Sequence, residues 1–473
     1  MRNTRKSLVT GWLSAITKKL QGTLNRLKTV TTRKLKVIVG LGKTGFSCAR
    51  YLTGEGIAFS VMDDANQPPY LAQLREEMPD VSYSTLDSGK LMQAEEIIIS
   101  PGVPLQTEKI QRAIVQGVPV TGDIAMFAAI TDKPVIAITG SNGKSTVTRM
   151  FADMALAAGL DTGVGGNIGT PCLDIIRQNH EAFVLEVSSY QLEVVGQLNA
   201  RVAVVLNLSP DHLDRYDNER HYYNVKSKIY SGCEVAVVNR ETNFNFGIPA
   251  SVRKVTFGTG EPSGKESFGI RIVDGDACIC FEARRLVNTN RLRIKGKHNW
   301  QNALAALAIG YSIGLEFEPM IAALVQYKGL PHRCEWLGSF AGVDIFNDSK
   351  STNPGSTQAA VAGLSSGSRN LLLILGGDGK GADFSALQGL VSTETRRCFV
   401  YGKDREEIAR AVSDGDDDVV VETDLTDVVR KLKSAVRPGD LVLFSPACAS
   451  LDQFRNYEHR GEEFKRLIEE GFA

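Results

Sequence analysis

Apolar positions recur along this chain with spacings that change at definite places. Through the first 33 residues, Val9, Leu13, Ile16, Leu20, Leu24 and Leu27 fall at three- and four-residue steps, which predicts an amphipathic helix. Its other face is rich in Arg, Lys, Ser and Thr, and no acidic residue occurs before Glu55. From Lys34 the rhythm shortens. "KLKVIVGLGKTG" reads as a strand, a glycine turn and a helix start, and "FSCARYLTGEG" carries the helix on to a second strand at "AFSVMDD". Short apolar runs at "AEEIIIS", "GVPV", "VIAIT", "AFVLEVSS", "VAVVLNL" and "EVAVVN" predict further strands. A polar, alternating stretch from about Val255 to Ile294 predicts small antiparallel strands, and "HNWQNALAALAIGYSIG" predicts a helix. Near the end, "NLLLILGGDGKG", "RCFVYGKD" and "GDLVLFSPACAS" each place a buried-type strand directly before a polar or glycine-rich loop.

Strands alternating with helices predict an α/β fold built on parallel sheets. Breaks near Thr121 to Asp123 and at "YKGLPHR", with Gly329 and Pro331, divide it into three domains: a Rossmann-like N-terminal domain over 34–122, a central P-loop ATPase-like domain over 123–329, and a Rossmann-like C-terminal domain over 330–473. Residues 1–33 form a basic extension. A membrane-surface helix, a transit peptide and a segment with no role in the fold are the competing readings, and the last is adopted because the first strand starts only near Lys34.

Composition narrows the function classes. Lys+Arg and Asp+Glu number 54 each, so net charge gives no reason to expect a nucleic acid or an anionic membrane as partner. No apolar run is long enough to span a bilayer, so no integral membrane segment is expected. Eight cysteines without a Cys-x-x-Cys pair predict free thiols in a reducing cytoplasm.

The strand-end loops carry the candidate chemistry. "ITGSNGKST", Ile138 to Thr146, is a shortened phosphate loop: the usual spacing needs glycine at 138, and the glycine stands at Gly140. Gly140 and Gly143 let backbone N–H groups approach phosphate, Lys144 supplies positive charge, and Ser145 can join a magnesium shell at a helix N-terminus. "GLGKTG", with Gly40, Gly42 and Gly45 followed by Asp63, matches a dinucleotide fingerprint, but such a turn suits a UDP-linked substrate as well as NAD. "LEVSSYQLE" puts Glu186 in the middle of an apolar strand and "LNLSPDHLDRY" puts His212 just after another, where they suit a metal shell, or equally a salt-bridged buried acid and a capping or core histidine. Lys226 in "YYNVKSKIY" reads as a solvated helix lysine. Asp348, Lys350 and Thr352 in "NDSKSTN", Lys380 in "GGDGKGADF" and Ser450 in "SPACASLDQF" suit a small anionic substrate.

Taken in order, "GLGKTG", "SPGVP", "TGSNGKST", "GGNIGTP", "LEVSSYQLE", "DHLDRY", "GLPHR", "NDSKSTN", "GGDGK" and "SPACASLDQF" closely resemble the Mur ligases from Lys34 to the C-terminus. "SPACASLDQF" with "GGDGK" favours the branch that adds D-glutamate to UDP-N-acetylmuramoyl-L-alanine in cytoplasmic peptidoglycan synthesis. The resemblance implies that the first domain holds UDP rather than NAD. Gly42, Lys43, Thr44, Ser100, Pro101, Gly102 and Asn167 match positions along the UDP-substrate. An arginine of some relatives corresponds to Ala65 here, with Asp64 beside it. ATP is implied on Gly140, Ser141, Asn142, Gly143, Lys144, Ser145 and Thr146, with Asn299, Asn302, Arg333 and Asp348 around it. Two magnesium ions are implied, one on Ser145 and Glu186 and one on His212 and a carbamylated Lys226; Lys144, Glu186, His212 and Lys226 form the catalytic set. Lys350, Thr352, Lys380, Ser450, Leu451 and Tyr457 match the D-glutamate positions, with Tyr457 where a relative has phenylalanine. A monomer is expected, with closure of the C-terminal domain onto the central one assembling the site. The rivals are another amide ligase with a different amino-acid acceptor, an NAD-dependent oxidoreductase, and a non-catalytic nucleotide sensor.

A chain starting at Lys34 should fold and retain full ligase activity in a steady-state assay; loss of either would give the first 33 residues a role.

Overall fold

The structure, a computed structural model, describes residues 35–472 except 168, 212–214, 295, 365–368 and 414–418. The helix predicted for the basic extension lies outside the described residues.

The chain divides into two compact units, residues 1–123 and 124–473. In the first, β1 (Lys36–Val39), β2 (Phe59–Met62), β3 (Tyr83–Ser84), β4 (Glu96–Ile99) and β5 (Val120–Thr121) form one parallel sheet in the order β3-β2-β1-β4-β5. Val37, Ile38 and Val39 are all buried, as are Ile97, Ile98 and Ile99, because helices cover both faces of such a sheet and both side-chain directions become apolar. Chain order reverses beside β1, so the turns after β1 and β4 lie next to each other. Doubly wound sheets open their ligand crevice at that place.

The second unit contains three sheets. β6 (Val135–Thr139), β7 (Thr162–Gly166), β8 (Ala182–Glu186), β9 (Val202–Val205), β10 (Val235–Asn239) and β11 (Arg253–Phe257) are parallel, in the order β11-β10-β9-β6-β8-β7. β12 (Phe268–Val273), β13 (Asp276–Phe281) and β14 (Arg284–Asn288) make an antiparallel meander. The antiparallel stretch expected from about Val255 is therefore two things. Its first part, β11, extends the central sheet in parallel, and only from Phe268 does the chain turn antiparallel. Val255 and Phe257 alternate into the central core, a pattern that fits an edge strand of either sense.

That core is built around the helix Lys144–Ala157. Val147, Met150, Phe151 and Met154 recur at three- and four-residue steps and pack with Ala303, Ala305, Ala306 and Ala308 of the helix Lys297–Ser312. Phe268, Ile270, Ile279 and Val287 of the meander close the same cluster.

The third sheet comprises β15 (Glu335–Phe340), β16 (Val343–Asn347), β17 (Leu371–Gly376), β18 (Thr395–Tyr401), β19 (Val419–Val421) and β20 (Leu441–Phe444), in the order β15-β16-β20-β17-β18-β19. Only β15 runs antiparallel to its neighbour; the other pairs are parallel. Leu371, Leu373 and Leu375 enter the core on one face, Leu372 and Ile374 that on the other, which explains why "LLLIL" is continuous rather than alternating. β16, β20 and β17 are adjacent, so the loops that follow them gather at one sheet end.

Helix Lys297–Ser312 also meets helix Pro354–Leu364 of the C-terminal part. A side chain on Gly363 would come within 2.1 Å of His298 Nδ1, so glycine is required for this close approach. That Nδ1 is buried without a hydrogen-bond partner among the described residues, and burial pushes the imidazole down to about 4. Between roughly pH 6.5 and 4 the unfolded chain takes up a proton that the folded one refuses, so this group's contribution is lost as pH falls, by up to about 3 kcal/mol. His298→Gln should flatten the pH dependence of unfolding free energy by that amount in this window; parallel curves for the two proteins would refute the assignment.

Candidate active site

β6 ends in a buried Thr139, and the chain then turns through Gly140 and Gly143, both at positive φ (157° and 83°), into the helix starting at Lys144. A Cβ on Gly143 would lie 2.5 Å from Asn302 Oδ1, so the short loop is pressed against the helix carrying Asn299 and Asn302. Asn302 Nδ2 donates to Asn299 Oδ1 at 3.1 Å. Lys144 folds back on its own loop, donating to Gly140 O at 2.8 Å and Ser141 O at 2.9 Å. Ser145 and Thr146 are buried in the first helical turn, and Arg333 Nη2 donates to Ser145 Oγ at 2.9 Å.

The loop is braced by residues without any motif. Asn207 Oδ1 accepts from Asn142 N–H and its Nδ2 donates to Asn142 O, at 2.8 and 3.0 Å. Ser141 Oγ donates to Ser209 O at 2.9 Å and accepts from Ser209 N–H at 3.0 Å. Asn207 and Ser209 follow β9, the neighbour of β6 in the sheet. Polar residues directly after "VAVVL" are the signal that could have found them.

Glu186 ends β8, with its Cα opposite Ile138 of β6. Asn167 Nδ2 donates to Glu186 Oε1 at 2.7 Å, while Oε2 is buried with no hydrogen-bond partner among the described residues. Lys226 corrects the sequence expectation of a solvated lysine: it is 1% exposed. Its helix, Glu219–Ser227, buries Tyr222, Val225 and Lys226, so the lysine belongs to the inward stripe. Nζ donates to Gly140 O at 2.9 Å and lies 4.8 Å from the Tyr222 ring centre. Burial lowers both lysines, Lys226 well below the ordinary range; the like charge of Lys144 adds to its shift, and Glu186 opposes the shift of both. Ser145 thus stands at a helix start and Glu186 at a neighbouring strand end, while Lys226 reaches the same loop from the last turn of its helix. His212, expected as a further ligand, lies outside the described residues, and among those described no cluster of three or more His, Cys, Asp or Glu side chains is spaced to hold a metal.

In the first unit, Gly42 caps the helix that begins Lys43–Thr44, and Ser100 Oγ donates to Gly40 O at 2.7 Å, joining the turns after β1 and β4. Pro101 and Gly102 continue the second turn. Asp63 does not stand free as a ribose acceptor. Its Oδ2 accepts from Leu41 N–H at 2.7 Å and its Oδ1 from Ala65 N–H at 2.8 Å, so the carboxylate braces the glycine turn. Asp64 Oδ1 accepts from Leu86 N–H at 3.0 Å and faces Lys109 at 3.3 Å. Asn167, expected along the same substrate, belongs to the second unit.

The C-terminal loops after β16, β20 and β17 are knitted together. Asp348 Oδ2 accepts from Ser445 Oγ at 2.8 Å and Oδ1 from Cys334 N–H at 3.1 Å; burial pushes its carboxyl up to about 7. Ser349 Oγ donates to Tyr457 O at 2.8 Å. Arg460, which sequence reasoning missed, is fully buried and donates to Ser349 O at 2.7 Å and Cys448 O at 3.0 Å. Lys350 Nζ sits 3.9 Å from the Tyr457 ring centre, and burial, reinforced by the Arg333 charge, pushes it down to about 8. Asp378 and Ala449 exchange both backbone hydrogen bonds at 2.9 Å, bringing the Lys380 loop against the Ser450–Leu451 loop. Ser450 is buried, whereas Thr352, Lys380 and Leu451 are exposed.

Family models match all three parts of the chain: a Mur ligase MurD-like N-terminal domain over residues 34–122, the Mur ligase middle domain over 138–310 and the Mur ligase glutamate ligase domain over 332–448. The UDP-N-acetylmuramoylalanine--D-glutamate ligase of Pseudomonas putida is 45% identical over 439 residues, covering 92% of this chain and 97% of that protein. The protein of the same name from Marinobacter nauticus is 43% identical over 446 residues, covering 94% and 100%. Among solved structures, the MurF ligase of Thermotoga maritima in complex with ADP superposes with a TM-score of 0.59 at 16% identity, covering 93% of this chain and 96% of that one. UDP-N-acetylmuramate-alanine ligase MurC from the same organism gives 0.58 at 17%, covering 92% and 99%. On this evidence the chain belongs to the Mur ligase family.

Proposed function

We propose that this chain is an ATP-dependent amide ligase that adds D-glutamate to UDP-N-acetylmuramoyl-L-alanine, forming ADP, as a cytoplasmic monomer in peptidoglycan precursor synthesis. The observation that carries the reading is identity of 43–45% over nearly the whole chain to relatives that bear this activity in their names. The loop Gly140–Thr146 supports it, because it places a half-buried lysine and two hydroxyl residues where an ATP phosphate chain would lie. The engagement of Asp63 by backbone amides speaks against the oxidoreductase rival.

The chemistry follows from a poor electrophile. A carboxylate of the UDP-substrate attacks the γ-phosphorus of ATP; the bond to ADP breaks and ADP leaves with the electron pair, giving an acyl phosphate. The amine of D-glutamate, having lost a proton, attacks the acyl carbon, and the tetrahedral intermediate expels phosphate to leave the amide. Lys144 would neutralise charge on the transferring group once it moves off its own loop carbonyls, and Arg333 would add to it from the linker. Asn299, Asn302 and Asp348 would line the nucleotide; Lys43, Thr44, Ser100 and Asn167 would line the UDP-substrate. Lys350, Thr352, Lys380, Ser450, Leu451 and Tyr457 would receive D-glutamate.

The residues present fit magnesium. Glu186 Oε2 is a buried carboxylate oxygen without a hydrogen-bond partner among the described residues, and Ser145 Oγ stands at the adjoining helix start. Ser145 and Glu186 would hold one ion, His212 and Lys226 the other. Bound magnesium supplies neutralisation of phosphate charge. The depressed basicity of Lys226 favours its neutral amine, the form that adds to carbon dioxide with loss of a proton to give a carbamate.

Phosphate release should appear with ATP, magnesium, UDP-N-acetylmuramoyl-L-alanine and D-glutamate, with a product heavier by one glutamyl residue. L-glutamate, L-lysine and diaminopimelate supplied in its place should give none; turnover with one of these instead would move the specificity within the family. Lys144→Ala should abolish turnover and leave binding of the UDP-substrate nearly unchanged by calorimetry, and equal loss of both would overturn the domain roles.

A further inference from the structure

Lys380 presents its side chain from a backbone that a lysine rarely adopts. Its φ is 51°, in the left-handed region that crowds the Cβ of an L-residue. The side chain is exposed, with the Asp378 carboxylate as a nearby opposite charge. Something must hold this turn open. Lys380 N–H donates to Asp378 Oδ1 at 3.0 Å, and Gly379 N–H donates to Asp404 Oδ2 at 2.7 Å.

Asp404 is the informative partner. It stands at the N-cap of the helix Arg405–Val412, where an aspartate side chain ordinarily accepts from the N–H groups of its own first turn. No side-chain cap bond is made here. The carboxylate reaches across to the loop after β17, and Asp404 N–H adds a second tie by donating to Gly377 O at 3.1 Å. A local stabilising contact has been given up for a distant one, and such departures concentrate where function requires a geometry.

The surroundings neutralise the charge this introduces. Lys403 Nζ donates to Asp378 Oδ2 at 3.1 Å, and the two bonds on Asp378 hold its carboxyl below the usual range. Lys403 N–H in turn donates to Asp452 Oδ2 at 3.0 Å, which fastens the third loop, next to Ser450 and Leu451. Gly402 has no room for a side chain, since a Cβ would stand 2.7 Å from both Asp452 Oδ2 and Gly377 N. Three loops are therefore locked through Asp378, Asp404 and Asp452, and Lys380 stands exposed on the turn they hold.

We propose that Asp404 is a positioning residue for recognition of the incoming amino acid: by holding Gly379 N–H it fixes the left-handed turn from which Lys380 meets a carboxylate of that substrate. The inference rests on the reading of Lys380 as a glutamate-binding residue.

Steady-state kinetics of the full chain test it, with each of the three substrates varied in turn. Asp404→Ser keeps a good helix cap but is too short to reach Gly379, so it separates a folding defect from a positioning defect. It should raise KM for D-glutamate about tenfold, the equivalent of one lost hydrogen bond to a charged group, with KM for ATP and for the UDP-substrate unchanged. Asp404→Asn, which retains an acceptor oxygen, should restore most of the glutamate affinity. Equal changes in all three KM values, or a fall in kcat alone, would make Asp404 merely structural and overturn the proposal. Lys380→Ala distinguishes the two levels. A raised glutamate KM there with an unaffected Asp404→Ser enzyme would sink the positioning role alone, whereas an unchanged glutamate KM in Lys380→Ala would sink the underlying assignment as well.

Discussion

Two ammonium groups, Lys226 fully buried and Lys144 half-buried, converge on one carbonyl oxygen, both donating to Gly140 O. Much of the central domain can be read as the means of holding that arrangement. Like charges in a poorly solvated place repel, and burial disfavours both, so each lysine is driven toward its neutral form. Glu186 offsets part of the repulsion but leaves an oxygen unsatisfied. The two lysines are thus held close against their mutual repulsion. A polyanion entering the loop gives Lys144 a counterion, and carbamylation would turn Lys226 from a competing cation into an anion.

Holding such a loop requires rigid surroundings. Asn207 and Ser209 brace it from the next strand, Tyr327 OH donates to Thr146 O at 3.4 Å from the end of the central domain, and Arg333 reaches Ser145 from the linker. The linker itself is tightly bent. His332 and Cys334, on either side of Arg333, both have positive φ, 62° and 46°, and Cys334 N–H is tied to Asp348. Strain on both sides of one arginine is sustained because the flanking residues are anchored in the C-terminal sheet.

The sequence made the sheets legible because parallel strands buried on both faces are continuous apolar runs ended by glycine and polar loops. The phosphate loop was legible for the same reason, since its glycines and Gly-Lys-Ser-Thr break a strong pattern. Lys226 was not legible from its residues, because a lysine on the inward stripe of a nine-residue polar helix looks like any surface lysine; only resemblance to the family flagged it. Arg460 and Asp404 were missed for a related reason. Their roles come from hydrogen bonds to loops 111 residues away in one case and 25 in the other, and periodicity reports only on neighbours along the element. The sense of β11 escaped because alternation fixes which face is buried but not which way a strand runs.

The antiparallel course of β15 has a mechanical consequence. Glu335 at its start pairs with Asn347 at the end of β16, so the chain enters the C-terminal sheet at the end where the loops after β16, β20 and β17 emerge. Any rotation about the linker would therefore have its axis beside those loops rather than at the opposite pole. Displacement in a rotation grows with distance from the axis, so a turn about the linker sweeps the far side of the sheet widely while moving Arg333 and Asp348 little. Had β15 run parallel, the linker would have entered at the opposite end, and the same rotation would have carried those loops through the largest arc.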